Sequence, residues 1–277
     1  MFYSSCLSWI RFLRLPAVLT VPGDVWVGAA LVGGGVSYGE TLAVCCAYLF
    51  GMGLNDVVDV RADRVNRPER PLPQGDIPLK VAISACIALC MLSWVLNPCG
   101  AQVALLGMVT AYNTLKHLHL WLSGGLMAGC RILVLWMGAG APGETRLLWP
   151  LWVLWGYLIL MIILLADLEN KQSKRILPLT LGLSLWWLGA PVLAILLGAW
   201  TAWVLLPWGL LIFLTLNNLQ QIFRTHQLSP KNTGVWLSML IPLQASFLCA
   251  FGDVSLGLVV LLAWPLLKMI LRKIQIS

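Results

Sequence analysis

Apolar runs follow one another along almost the whole chain, and the breaks between them are short. They fall near residues 15–35, 40–55, 79–97, 100–115, 120–139, 148–166, 177–197, 202–219, 233–250 and 254–271. A helix needs about 20 apolar residues to cross the hydrocarbon core of a bilayer. Several runs are shorter than that, so their helices must extend past the apolar boundaries. Within the bilayer every backbone N–H and C=O must find a partner, and a helix satisfies them inside one segment. The expected fold is therefore all-α, a polytopic transmembrane helix bundle. It has ten spans if the last two runs cross separately and nine if they do not. Composition agrees: charged residues make up 10% of the 277 and hydrophobic residues 60%, against about a quarter charged in a soluble domain. So few charges cover the two ends of a bundle but not the flanks of a water-soluble protein. No polar tract, Ser/Pro-rich linker or repeat divides the chain, so one domain is expected over residues 1–277. The first run contains Asp24 and lacks a small-residue cleavage site, which argues against a signal peptide.

The basic residues give an orientation. A net charge of +7 would be compatible with nucleic-acid binding, but the cations sit in short clusters between apolar runs, as topology signals do. With the N-terminus inside, sixteen of the 18 Lys and Arg residues fall in inner loops, among them Arg61, Arg64, Arg67, Arg70, Lys80 and Lys116. Arg146 falls outside and Arg131 lies within a run. The bias predicts both termini in the cytoplasm, in the plasma (inner) membrane if the source is bacterial, with the lipid bilayer and not nucleic acid as partner. Trp149, Trp152, Trp155, Trp200 and Trp203 then lie near the outer interface, where indole rings settle. The eight cysteines show no metal-type or paired spacing. Cys86 and Cys90 share a helix face in an apolar run and read as small core residues.

One polar stretch, Asn55 to Gly75, reads NDVVDVRADRVNRPERPLPQG. Asp56, Asp59 and Asp63 are spaced i, i+3 and i+7, and Asn55 precedes Asp59 by four, so a continuous helix places all of them on one side. Carboxylates gathered in this way repel one another unless a cation lies between them. Hard oxygen ligands suit Mg²⁺, which commonly bridges to substrate phosphates. A solvated loop with charges of both signs is the plain alternative. Against it, Arg67-Pro68 and Arg70-Pro71-Leu72-Pro73 set two guanidiniums beside rigid turns.

This stretch resembles the first signature of the UbiA-type membrane prenyltransferases, NDxxDxxxD followed by RPxRPLPxG. Tyr112 and Lys116 fit that family's YxxxK and share a helix face at i, i+4; an anchor for topology is the other role open to Lys116. The resemblance implies helices around a central cavity. It also implies Mg²⁺-dependent transfer of a prenyl group from a prenyl diphosphate to a membrane-soluble acceptor. By the same resemblance, Asn55, Asp56, Asp59, Asp63, Asp167 and Glu169 hold metal. Arg67, Arg70 and Lys116 bind diphosphate, and Asp59, Asp167, Lys116 and Tyr112 serve catalysis. Arg131 and Lys171, read from their own positions and not from the resemblance, are further diphosphate candidates. The physical demands match the composition. An isoprenoid tail belongs in an apolar cavity, and its diphosphate belongs at the rim among cations.

The family's second signature is altered. Aspartates four residues apart are usual, then a Gly and TLP; here Asp167, Glu169 and Leu177-Pro178 are present, but Lys171 stands in the second aspartate position. The segment is also about two residues short. The departure leaves a second reading, a non-catalytic member that binds or moves a prenylated lipid. Arg131 lies about eight residues inside its run, where a charge is expensive and by default functional. It either holds diphosphate or pairs with a carboxylate such as Asp24, whose Pro22-Gly23 neighbours suggest a broken helix. The stretches Pro22-Gly23-Asp24 and Gly129-Cys130-Arg131 resemble a divergent branch of the superfamily, the EboC-like proteins. Gly125 and Gly129 form a GxxxG that suggests close helix packing. No role is assigned to His117, His119 or His226.

Overall fold

A computed structural model describes residues 2–140, 201–225 and 238–274, with Val235 and scattered positions between 181 and 196. The described residues form helices and turns without a strand. Labelled in chain order, the helices are α1 (Phe2–Phe12), α2 (Pro22–Leu31), α3 (Tyr38–Asn66), α4 (Pro71–Gln74), α5 (Leu79–Leu96), α6 (Gly100–Leu115), α7 (Leu120–Gly138), α8 (Leu205–Thr225), α9 (Leu240–Ala250) and α10 (Val254–Ile274). Three described helical stretches, Tyr38–Asn66, Leu79–Leu96 and Ala202–Arg224, are long and apolar enough to cross a membrane. Shorter apolar helices cover Leu15–Leu31, Leu122–Gly138, Leu240–Ala250 and Val254–Leu267. The chain is thus an all-helical, polytopic integral membrane protein. It separates into two compact units, one of Met1–Pro22, Ser37–Leu118 and Pro265–Ser277, the other of Gly23–Val36 and His119–Trp264.

In the first unit α3 is the axis. Ser37 caps it, its Oγ accepting the Glu40 N–H at 3.3 Å, and a Ser with Glu three residues on is a capping-box pattern. Its 29 residues rise about 43 Å at 1.5 Å each, against a hydrocarbon core of about 30 Å. The final turns, which carry the acidic residues, therefore extend past the apolar zone. Glycines let neighbours approach α3 closely. A Cβ on Gly53 would strike the Cys86 sulfur of α5, and one on Gly51 would strike the Val109 side chain of α6. Phe12 of α1 is fully buried against Phe50, Val60, Leu72, Ile77, Ala82 and Cys86, which fastens the α3–α5 connection to the bundle. Near the opposite end, Gln102 donates to the Ser93 hydroxyl at 2.6 Å, and Ser93 donates to the Ala43 carbonyl at 2.7 Å. The outward face of α5 is apolar and exposed at Val81, Ile83, Ile87, Met91 and Val95, which suits lipid.

The break expected in the first apolar run falls where, along the chain, the first unit gives way to the second. A 3₁₀ turn spans Leu15–Thr20, and α2 starts afresh at Pro22, where a missing N–H does no harm. Helices α2 and α7 pack backbone to backbone: a Cβ on Gly28 would fall on the Leu135 carbonyl, and one on Gly138 on the Val25 carbonyl. Of the GxxxG pair, a Cβ on Gly125 would meet nothing within 4 Å; the close α2–α7 approach is made at Gly28 and Gly138. The last two apolar runs form separate helices, α9 and α10. Gly252 turns between them at a φ of 97°, a conformation that favours glycine, and Asp253 Oδ1 accepts the Leu256 N–H at 3.1 Å.

Candidate active site

Helix α3 continues unbroken through Asn55–Asp63, so the acidic residues do lie on connected faces. They are divided between two groups of cations. Asp56 and Asp63, 4% and 6% exposed, share Arg70, whose Nη1 stands 3.3 Å from Asp56 Oδ1 and 2.6 Å from Asp63 Oδ2. Arg14 Nη2 adds a contact to Asp56 Oδ1 at 3.2 Å. Asn55 and Asp59 converge instead on Lys116: Nζ donates to Asn55 Oδ1 at 2.5 Å and to Asp59 Oδ2 at 2.6 Å. His117 Nε2 lies 3.0 Å from Asp59 Oδ1, and Asn55 Nδ2 donates to Asp56 Oδ1 at 3.2 Å, which links the two groups.

Local structure explains the placement of each cation. Arg70 precedes the short α4, whose Pro71 and Leu72 are buried and hold the loop against the helix bundle. Arg67 ends α3, its N–H donating to the Asp63 carbonyl at 2.8 Å, and it is exposed. Lys116 ends α6. Asn113, one turn earlier, is buried and donates to the Gly51 carbonyl at 3.2 Å, tying that end of α6 to α3 and setting the reach of the lysine. Tyr112 accepts the Lys116 backbone N–H at 2.9 Å through its carbonyl. Arg14 adopts a φ of 48° at the entrance to the 3₁₀ turn, which turns the chain where its guanidinium meets α3.

Two hard oxygens, Asn55 Oδ1 and Asp59 Oδ2, thus converge on one cationic nitrogen. That donor set fits Mg²⁺, which keeps most of its ligands as water and substrate phosphate and rarely uses an all-protein cage. Among the described residues no group of three or more His, Cys, Asp and Glu side chains is gathered tightly enough to hold a metal by itself. Asp56 and Asp63, expected as metal ligands, are engaged by guanidiniums here. Arg131 belongs to the second unit and takes the second of its two expected roles: its Nη1 pairs with Asp24 Oδ2. Gln244 of α9 also donates to Asp24 Oδ1, at 2.6 Å. Asp24 is fully buried, and the pair answers the cost of a charge inside a membrane. Asp167, Glu169 and Lys171 lie outside the described residues. Arg14 and His117 are the members that sequence reasoning missed. Arg14 read only as a topology signal, and His117 differs from a loop histidine only in following Lys116.

The fold and the site define a helical membrane protein with an Asn/Asp helix face closed by Arg and Lys at the edge of the apolar zone. The chain belongs to the UbiA prenyltransferase family, whose sequence profile matches residues 18–240. It is 42% identical over 71 residues to a digeranylgeranylglyceryl phosphate synthase of Pyrococcus abyssi, covering 26% of this chain and 25% of that one. With the enzyme of the same name from Methanopyrus kandleri it is 28% identical over 180 residues, covering 60% and 62%. The matched stretches therefore span less than two thirds of these relatives' lengths. Among solved structures, a UbiA homolog from Archaeoglobus fulgidus bound to GPP and Mg²⁺ superposes with a TM-score of 0.61 at 17% identity, over 92% of this chain and 99% of that one, a likeness of fold.

Proposed function

We propose that this protein is a Mg²⁺-dependent prenyltransferase that moves a prenyl group from a prenyl diphosphate to a membrane-soluble acceptor. The observation that carries the reading is the convergence of Asn55 Oδ1 and Asp59 Oδ2 on Lys116 Nζ. A cation already sits where an Mg²⁺–diphosphate complex would require one. In the reaction the allylic C–O bond breaks and its electron pair leaves with the diphosphate. The acceptor's nucleophilic atom bonds to the allylic carbon, and its proton passes to solvent. Asn55 and Asp59 would hold Mg²⁺, which would supply positive charge to stabilise the leaving diphosphate. Arg14 and Arg70 keep Asp56 and Asp63 fixed, so that the α3 face does not rearrange as charge shifts. Lys116 donates to diphosphate oxygens once it is released from Asn55 and Asp59, and the exposed Arg67 adds a second donor. Tyr112 supports the Lys116 turn. Asp167 and Glu169 supply a second carboxylate set, and Lys171, in place of an aspartate, meets the diphosphate directly. The two relatives' name favours a glyceryl phosphate type of acceptor. Both termini are assigned to the cytoplasm on the distribution of cations; a reporter fused after Ser277 that is active only outside would reverse this.

Protein in nanodiscs, given labelled prenyl diphosphates and a prenylated glyceryl phosphate acceptor with and without Mg²⁺, tests the reading. Diphosphate release and a heavier lipid product, both dependent on Mg²⁺, are the expected result. Lys171 favours a second reading, a member that binds a prenylated lipid without transfer. Tight Mg²⁺-dependent binding with no diphosphate released from any donor would establish it and defeat the first.

A further inference from the structure

The first unit carries a cleft that the proposed reaction does not use. It lies between α3 and α5, has a volume of about 210 Å³, and is lined by apolar side chains, chiefly Phe50, Leu54 and Val57 on one wall and Ile83, Ile87 and Met91 on the other. Ile83, Ile87 and Met91 are exposed at 40–60%, so the cleft opens sideways, toward lipid. At about 100° per residue, Arg61 falls within about 20° of Phe50 and of Leu54 around α3. Lys80 falls within about 20° of Ile87 and of Met91 around α5. Each wall is therefore continued by a cation.

The two cations also stand at one level. Gly53 meets Cys86, and the helices run in opposite directions. Arg61 lies eight residues from Gly53 toward the end that holds the acidic face, about 12 Å along the axis. Lys80 lies six residues from Cys86 toward the same end, about 9 Å. Both are exposed. Arg14, Arg70 and Lys116 are engaged by carboxylates, whereas Arg61 and Lys80 enter no ion pair or hydrogen bond through their side chains among the described residues.

We propose that this cleft is a binding site for an anionic phospholipid of the surrounding membrane, one acyl chain lying along Leu54, Ile83 and Ile87 and the phosphate headgroup held between Arg61 and Lys80. Apolar walls select a lipid tail, and two unpaired cations at the interface end select a negative headgroup, as basic residues beside a bilayer do. A neutral headgroup would leave that charge unanswered.

Native mass spectrometry and thermal unfolding in detergent, with added phosphatidylglycerol or phosphatidylcholine, test the site. Phosphatidylglycerol is expected to remain bound and to raise the Tm of the parent protein by several degrees, with little effect of phosphatidylcholine. The double variant Arg61→Gln/Lys80→Gln should lose most of the phosphatidylglycerol shift, because both side chains are exposed and unpaired and their loss leaves the fold intact. Ile87→Trp, which fills the cleft, should lower retention of the lipid. Arg11→Gln, at an exposed cation on α1 that is not among the cleft-lining residues, should behave as the parent. Equal retention of both lipids by the parent would overturn the proposal. So would an undiminished phosphatidylglycerol shift in the double variant, or an equal loss in Arg11→Gln, which would make the effect a general surface attraction.

Discussion

Lys116→Ala should change Mg²⁺ affinity and diphosphate affinity in opposite directions. Lys116 Nζ holds Asn55 Oδ1 at 2.5 Å and Asp59 Oδ2 at 2.6 Å, and the Lys116 and Asp59 side chains are only 11% and 15% exposed. Mg²⁺ arriving without diphosphate must displace this ammonium. Each charge-assisted hydrogen bond contributes roughly 1.5–3 kcal/mol, and hydration of the released ammonium returns part of that. A net penalty of about 2 kcal/mol is a reasonable centre, which is roughly 30-fold in affinity. The alanine variant should therefore bind Mg²⁺ alone about 30-fold more tightly, read as Mn²⁺ displacement by electron paramagnetic resonance in nanodiscs. At saturating Mg²⁺ it should bind prenyl diphosphate at least about tenfold more weakly, because a donor to the phosphate oxygens is gone. The Asn113–Gly51 contact keeps α6 in place in both states. If Mg²⁺ affinity without diphosphate stays the same or falls, Lys116 does not compete for the metal oxygens and the site is wrongly built.

Three further outcomes follow from the geometry. Asp59→Ala should abolish Mg²⁺-dependent prenyl diphosphate binding while leaving the helical circular dichroism intact; unchanged Mg²⁺-dependent affinity would remove Asp59 from the metal site. Arg70→Ala should leave Asp56 and Asp63, 4% and 6% exposed, short of their shared partner and destabilise the protein by about 3 kcal/mol, seen as a lower Tm; no change would mean that Arg14 alone suffices. Arg131→Met should be destabilising by a similar amount, about 3 kcal/mol, because Asp24 is fully buried. Adding Asp24→Asn should recover part of the loss, and additive losses in the double variant would show that the two residues are not coupled.

The helices were legible because a membrane leaves an apolar stretch little alternative, and all but two of the expected runs fall on described helices or turns. Residues 148–166 and most of 177–197 lie outside the described residues. Lys116 was legible through its spacing from Tyr112. Long-range partners were not. Arg14 reaches Asp56 across 42 positions, and Arg131 reaches Asp24 across 107. The sequence offered Asp24 as one of two partners for Arg131, and no local pattern decides between them. Gly28 and Gly138 escaped for a related reason. A GxxxG displays two small residues on one helix, whereas Gly28 and Gly138 lie on different helices, each opposite a carbonyl of the other helix.

The division of the acidic face was present in the spacing and was read too coarsely. At about 100° per residue, a step of seven returns to within about 20° of its starting direction, so Asp63 almost eclipses Asp56. A step of three leaves Asp59 about 60° to one side, and a step of four sets Asn55 about 40° beyond Asp59. The four residues are therefore two pairs, Asp56 with Asp63 and Asn55 with Asp59, on adjoining stripes. One guanidinium nitrogen spans the first pair: Arg70 Nη1 stands 3.3 Å from Asp56 and 2.6 Å from Asp63. The second pair is an amide oxygen and a carboxylate one turn apart, a geometry suited to a compact cation, and Lys116 Nζ occupies it. On the proposed function the pairing gives a fixed role to the first stripe and an exchangeable one to the second. Asp56 and Asp63, each less than 10% exposed, would stay paired through turnover, while the cation on Asn55 and Asp59 would be the one that an arriving Mg²⁺–diphosphate complex replaces.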